Sequence, residues 1–117
     1  MNIQDLLIPA VVLLAILSIG VIAHRNQRIH MEEVVLLLLE RGESYGLQLI
    51  RASRSKLGNT VYPILRLLEE QDLVESREGE TTPERGGRPR IYYKLTKKGR
   101  TWALDLSLKR FADKQPR

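Results

Sequence analysis

Apolar positions divide this chain into two unlike halves. From Leu6 to Ala23, eighteen residues pass without a charge, LLIPAVVLLAILSIGVIA, and twelve of them are Leu, Ile or Val. From Met31 onward the apolar residues come in short groups at regular spacing, with charges between them. A helix apolar on every side has no solvent face, so the first half does not read as an ordinary surface helix. At ~1.5 Å per residue it rises about 27 Å, close to a hydrocarbon core of ~30 Å. Twelve large aliphatic residues at roughly −0.4 kcal/mol each favour insertion by about −5 kcal/mol. Pro9 falls in the first turn, where its missing N–H costs little. The 117 residues allow one small domain plus this appendage.

Two other readings of the run are weaker. A secretory signal needs a basic start and a small-residue cleavage site. Here Asp5 is the one charged side chain before the run, and the basic residues follow it, as HRNQR. A soluble core or dimerisation helix would have to do without any polar face. Residues 1–24 are therefore expected to be a transmembrane anchor, crossing the membrane with residues 6–23, and 25–30 a juxtamembrane linker. Arg25 and Arg28 flank only the C-terminal end. The positive-inside rule then puts the N-terminus outside and the rest in the cytoplasm, at the cell (inner) membrane.

The second half gives a succession of elements. MEEVVLLLLER, from Met31 to Arg41, reads as a central helix closed by Gly42. GESYG is a turn into a second helix from about Leu47 to Arg54, with Leu47 and Ile50 on one face. A third helix spans about Thr60 to Gln71. In it Val61, Ile64, Leu65 and Leu68 follow the i, i+3, i+4, i+7 spacing of a core face, and Asn59 or Thr60 is placed to cap it. LVESRE is a strand from Leu73 to about Glu78, and GETTPERGGRP a Gly- and Pro-rich loop. RIYYKL alternates as a second strand, with Ile91, Tyr93 and Leu95 on one face. A last helix covers about Lys97 to Lys114, with Leu104, Leu108 and Phe111 in a stripe. The order α-α-α-β-β-α, mainly helical with a small hairpin, is a winged helix-turn-helix. Its domain is expected over residues 31–100, with 101–117 a C-terminal packing or dimerisation helix. That helix either meets a partner or folds back on Val34–Leu39.

Charge and composition narrow the class. Of 19 basic and 14 acidic residues, only Arg25, Arg28 and Asp5 precede residue 31, which leaves a modest positive surplus on the second half. Such a surplus suits a polyanion such as nucleic acid. The chain has no cysteine, so disulfides and thiolate metal sites are excluded. Its two histidines, His24 and His30, lie six apart and off any one helical face. No histidine lies in the globular part, and no glycine pair has phosphate-loop spacing. The sequence therefore reads as a non-enzyme without cofactor or metal.

Residues 34 to about 100 carry three segments, LLLLERGESYGLQLI, TVYPILRLLEEQDLVESRE and GGRPRIYYKLTKKGR, that together resemble the PadR-like winged-helix regulators. The last two are the more specific. The resemblance implies a dimeric DNA-binding transcriptional regulator, often a repressor, with small-molecule sensing in some members. This sequence departs from the pattern in places. KLGNT replaces the more usual serine-containing approach to the third helix, and Asp72 stands where a glycine is common. Members usually continue into a longer C-terminal dimerisation region, and the N-terminal apolar run lies outside the common pattern.

In this architecture the third helix enters the major groove of double-stranded DNA with its N-terminal residues toward the bases. Asn59, Thr60, Tyr62, Pro63 and Arg66 occupy those positions. Arg66 suits guanine O6 and N7 in a bidentate contact worth about 1–3 kcal/mol of discrimination; the alternative is an ion pair with Glu69 or Glu70 on a solvated helix face. Tyr62 either reads DNA or packs. Arg85, Arg88 and Arg90 crowd around Gly86, Gly87 and Pro89 in the loop, where they suit phosphates or a narrow minor groove, or else keep the loop soluble. Lys56, Lys94 and Lys97 are further phosphate candidates. The leading expectation is a membrane-tethered, dimeric regulator that binds DNA. The competing one is a winged-helix module for a protein partner in a membrane assembly, which the modest net charge and Glu69, Glu70, Glu78 and Glu80 keep open.

Overall fold

The computed structural model describes residues 3–115, with side chains from Pro9 onward. Asp5 and Leu6–Ile8 of the apolar run therefore lie outside the described side chains, and residues 116–117 of the last segment lie outside the description altogether. Helix α1 (Ile3–Arg41) is a single rod of 39 residues, about 58 Å long at ~1.5 Å per residue. The segment 25–30, expected to be a linker, is helical throughout. Its first half covers nothing: the large apolar residues from Val11 to Ile22 are 51–66% exposed. Its second half is core, with Met31, Val34, Val35 and Leu38 buried. One element is thus apolar on all sides outside the domain and becomes the domain's central helix within it.

Around that helix pack α2 (Gly46–Ala52), α3 (Val61–Glu70) and α4 (Lys97–Lys114), with β1 (Ser44–Tyr45), β2 (Val74–Thr81) and β3 (Pro89–Leu95) in an antiparallel sheet of order β1-β3-β2. The expected core face of α3 is buried at Val61, Ile64, Leu65 and Leu68. Of the α2 face expected to hold Leu47 and Ile50, Ile50 packs partly against the core while Leu47 points outward, and the fully buried residue is Leu49. Over seven residues there is too little periodicity to fix which leucine faces in. The expected cap also fails. Thr60 already has helical φ/ψ, entered from the 3-10 turn Gly58–Thr60, and neither it nor Asn59 caps α3 through its side chain. That turn satisfies the first N–H groups from backbone instead.

Part of GESYG, expected as a turn, is strand β1, with Ser44 opposite Tyr93 and Tyr45 opposite Tyr92. The hairpin ladder begins at Val74 opposite Leu95 and extends to Thr81 opposite Pro89, beyond the expected end at Glu78, with an irregularity between Glu78 and Thr81. Asp72 takes φ 60, the left-handed backbone that a glycine usually supplies at such a turn. Of the β3 face expected to point inward, Tyr93 and Leu95 pack on the core, but Ile91 lies beyond it and is exposed.

Helix α4 packs on α1, with Gly99 and Ala103 buried and Trp102 and Leu106 partly buried against the core. Gly99 lies against the Leu73 carbonyl, where no Cβ fits. The stripe Leu104, Leu108 and Phe111 faces away at 48%, 68% and 64% exposure. The fold-back onto α1 therefore uses a different face of α4 and leaves the stripe uncovered.

Candidate nucleic-acid interface

Helix α3 is amphipathic, so burying its apolar face forces Tyr62, Pro63, Arg66, Glu69 and Glu70 outward. Asn59 and Thr60, just before it, are exposed as well. Tyr62 is 47% exposed, and one edge of its ring lies over Gly46, 2.5 Å from where a Cβ would sit. Gly46 thus lets the ring tuck against the start of α2, so Tyr62 both packs and presents its outer edge.

The Arg66 pair with Glu69 or Glu70 does not form, and among the described residues no carboxylate lies within ion-pair distance of Arg66. Glu69 instead accepts a 2.7 Å hydrogen bond from the Ser76 hydroxyl on β2, tying α3 to the hairpin. Tyr93 lies beneath this junction. Burial, and next the Glu69 charge, hold its phenol above the ordinary tyrosine range, while Arg66 pulls the other way. Arg66 therefore stands at the edge of a partly dry junction with its guanidinium uncommitted.

The hairpin tip turns through Pro83–Arg85, then Gly86 at φ 66 and Gly87 at φ 78. Both glycines need left-handed backbone, so the GG pair is what lets the tip turn. Arg85 and Arg88 flank it, exposed and without a carboxylate partner among the described residues. Between the tip and α3 lies a cleft of about 200 Å³, lined by residues that include Tyr62, Arg85, Arg90, Tyr45 and Tyr93. The fold thus brings Tyr62, Arg85 and Arg90 together. Lys56 is exposed in the turn before α3.

Lys94 departs from the sequence expectation. It pairs with Glu75 across the hairpin at 3.3 Å, on the sheet face opposite Tyr93. Arg90 is not a free loop cation either. Its guanidinium stacks 4.6 Å from the centre of the Tyr45 ring, and its Nε is buried without an acceptor.

That stack belongs to a ladder across all three strands that the sequence did not reveal. Tyr45 meets Tyr92 edge to face at 5.7 Å, and Arg77 stacks 4.7 Å over Tyr92. Arg77 Nε donates to both carboxylate oxygens of Glu43, at 3.0 and 2.9 Å, and its terminal nitrogen pairs there too. This hydrogen bond, with the Arg77 charge, holds the Glu43 carboxyl below its usual range. Each stacked pair at an exposed site is worth about 0.5–1 kcal/mol. Together they fasten the middle of the hairpin to β1 and to Glu43 before it. The alternation of Arg90, Tyr92 and Lys94 showed that these residues share a face, but the partner strand β1 had been read as a turn.

Set beside known proteins, residues 35–103 match the model of the transcriptional regulator PadR-like family. A PadR-like transcription factor from Bacteroides fragilis is similar in structure at 28% identity and TM-score 0.61, over 80% of this chain and 93% of that one. A PadR family transcription regulator from Clostridium difficile R20291 shares the fold at 23% identity and TM-score 0.56, over 73% and 92% of the two chains. Bacillus subtilis PadR, solved in complex with operator DNA, also shares it, at 22% identity and TM-score 0.55, over 74% of this chain and 49% of that one. No curated protein matches by sequence.

Proposed function

The chain belongs to the PadR-like transcriptional regulator family, and we propose that it is a membrane-tethered regulator that binds double-stranded DNA through α3 and the β2–β3 wing. The observation that carries this reading is the set of exposed cations without a carboxylate partner on α3, on the wing tip and in the turn before α3, with Arg85 of the tip sharing a cleft with Tyr62 of α3. Arg66 is exposed on the outward face of α3, Arg85 and Arg88 at the glycine tip, and Lys56 before the helix. A recognition helix with a free arginine suits base edges in the major groove. Arginines on a glycine tip suit the neighbouring backbone. The operator complex of the B. subtilis neighbour supports the reading by analogy of fold. Lys94, paired with Glu75, contributes little, and Arg90, stacked on Tyr45 beside the last ladder pair, Thr81 with Pro89, acts by steadying the wing.

Helix α1 supplies the tether. It is long and apolar enough to cross a membrane, and none of its apolar window is buried in the domain. Arg25 and Arg28, just after the apolar run, support a cytoplasmic domain by the positive-inside rule. Repression then follows from occupying an operator near the membrane. The uncovered stripe of Leu104, Leu108 and Phe111 supports a homodimer, because an exposed apolar row of this size on a small domain favours a partner.

The test is binding of the full chain, in a neutral detergent, to random duplex DNA, with Arg66→Ala and Arg88→Ala alongside. Binding that both variants weaken supports the reading. A folded chain that ignores duplex DNA makes the winged helix a module for a membrane protein partner instead.

A further inference from the structure

Where α1 enters the domain, a cavity of about 280 Å³ opens between this helix, the turn after α3 and the start of α4. Its lining is His24, Gln27, Arg28 and Met31 from α1, Gln71 and Leu73 from the turn, and Trp102 from α4. The lining is polar and cationic toward the N-terminal side and apolar toward the core, and no carboxylate faces it among the described residues. Arg28 lies 3.5 Å from Glu32, but Glu32 also faces Arg110 at 3.8 Å, so one acidic group serves two guanidinium groups. The Arg28 side chain is 71% exposed, and positive charge is left over at the cavity mouth.

We propose that this cavity binds the head group of an anionic phospholipid, with the lipid phosphate on Arg28 and its polar substituent toward Gln27 and Gln71. The proposal rests on the reading of α1 as a membrane anchor. Position argues for it: with Ala23 ending the apolar run, His24 to Arg28 rise through the next ~6 Å, which is about the depth of one head-group layer. Chemistry argues for it as well. The cytoplasmic leaflet is anionic and draws in juxtamembrane basic residues. Trp102, partly buried against the core, lines the same cavity as Met31 and Leu73, and a tryptophan suits the membrane interface. A lipid held here bridges the anchor to the turn Gln71–Leu73. That turn is already bound to α4 by Lys98 on the Gln71 carbonyl at 3.1 Å and by the Thr96 N–H on the Leu73 carbonyl at 3.1 Å. Bound lipid would thereby fix the tilt of the recognition helix above the membrane.

Trp102 is the chain's single tryptophan and lines the cavity, so its fluorescence reports on occupancy. The full chain in neutral-detergent micelles is titrated with phosphatidylglycerol, with phosphatidylcholine, and with inorganic phosphate. The expected result is a saturable change in emission with phosphatidylglycerol alone. Arg28→Gln and Gln27→Glu should each weaken it about fivefold or more, while Arg25→Gln, outside the cavity, leaves it nearly unchanged. An equal response to phosphatidylcholine, or equal losses in Arg25→Gln and Arg28→Gln, overturns the proposal in favour of diffuse surface attraction. A saturable response to inorganic phosphate at millimolar concentration overturns the lipid source and leaves a free-anion site. Carbonate extraction of membranes carrying the full chain is run in parallel. Release of the chain refutes the anchor itself, whereas retention with no lipid response refutes only the cavity.

Discussion

Gly99 is where the start of α4 is seated on the turn between the recognition helix and the wing, and replacing it with alanine should unseat it. Thr96 caps α4: its hydroxyl accepts from the Gly99 N–H at 3.0 Å and donates to the Asp72 carbonyl at 2.6 Å. The Thr96 N–H meets the Leu73 carbonyl at 3.1 Å. A Cβ at Gly99 would collide with that same carbonyl and crowd Leu73 Cα at 3.2 Å, and both are backbone atoms that no rotamer change can move. The first turn of α4 must therefore back away. Overpacking of this kind costs about 1–3 kcal/mol, and losing one cap or turn hydrogen bond adds about 1 kcal/mol. For a domain of this size, roughly 2–4 kcal/mol lowers Tm by about 10–20 °C. Trp102, three residues on, reports the local loosening by fluorescence as temperature rises. Gly20→Ala is the control, since a Cβ there meets nothing within 4 Å, and it should leave the transition in place. A Gly99→Ala protein that melts within about 2 °C of the parent would refute the reasoning, because the joint would then tolerate a shift the packing forbids.

Other expectations follow from the same geometry. Arg66→Ala should leave Tm within about 2–4 °C, since surface changes away from special features stay near ±0.5 kcal/mol; against duplexes selected from a random pool it should relax preference at one base pair by about 1–3 kcal/mol, read by competition binding. The Glu43 carboxyl should titrate below 4.5 by NMR and move back toward it in Arg77→Ala. Because its folded value is depressed, the stability it lends is present above the unfolded value and lost as pH falls through the folded one, so Glu43→Gln should flatten the acid limb of a stability–pH curve. Leu14→Lys, near the middle of the apolar run, should cost insertion about 2.5–3.5 kcal/mol and release chain to the soluble fraction on carbonate extraction.

What could be read in advance followed the length and regularity of each element. Helix α3 was legible because Val61, Ile64, Leu65 and Leu68 repeat over ten residues, and the outward position of Arg66 came with it. The chain from Met31 to Arg41 was legible as helix, but its continuity back through Asn26 was not. HRNQR is polar, and nothing local says whether polar residues continue a helix or end it. Leu49 did not stand out as the buried leucine because α2 lasts only seven residues. Tyr45 was missed as a strand residue because two residues carry no alternation, and its pairing partners lie almost fifty positions away. Similar separations hid the ladder from Glu43 through Arg77 and Tyr92 to Arg90, and with it the reason Arg90 is held against Tyr45. Lys94 read as a phosphate contact because alternation assigns a face but not the cross-strand neighbour, here Glu75.

The central claim is that the free cations of α3 and the wing meet the phosphates of a DNA duplex, and the salt dependence of binding tests it most directly. Lys56, Arg66, Arg85 and Arg88 are exposed and without a carboxylate partner among the described residues. With Arg66 on a base edge, Lys56, Arg85 and Arg88 give about three phosphate contacts per protomer, a slope of log affinity on log salt near −2.7, or a loss of roughly 40-fold per protomer between 50 and 200 mM salt. The full chain in neutral detergent, titrated with duplex DNA at both concentrations, should show that loss, and Arg88→Ala should reduce the slope by about one. Affinity that is absent at 50 mM, or that barely changes between the two salts, would contradict the account and leave the winged helix to a protein partner at the membrane.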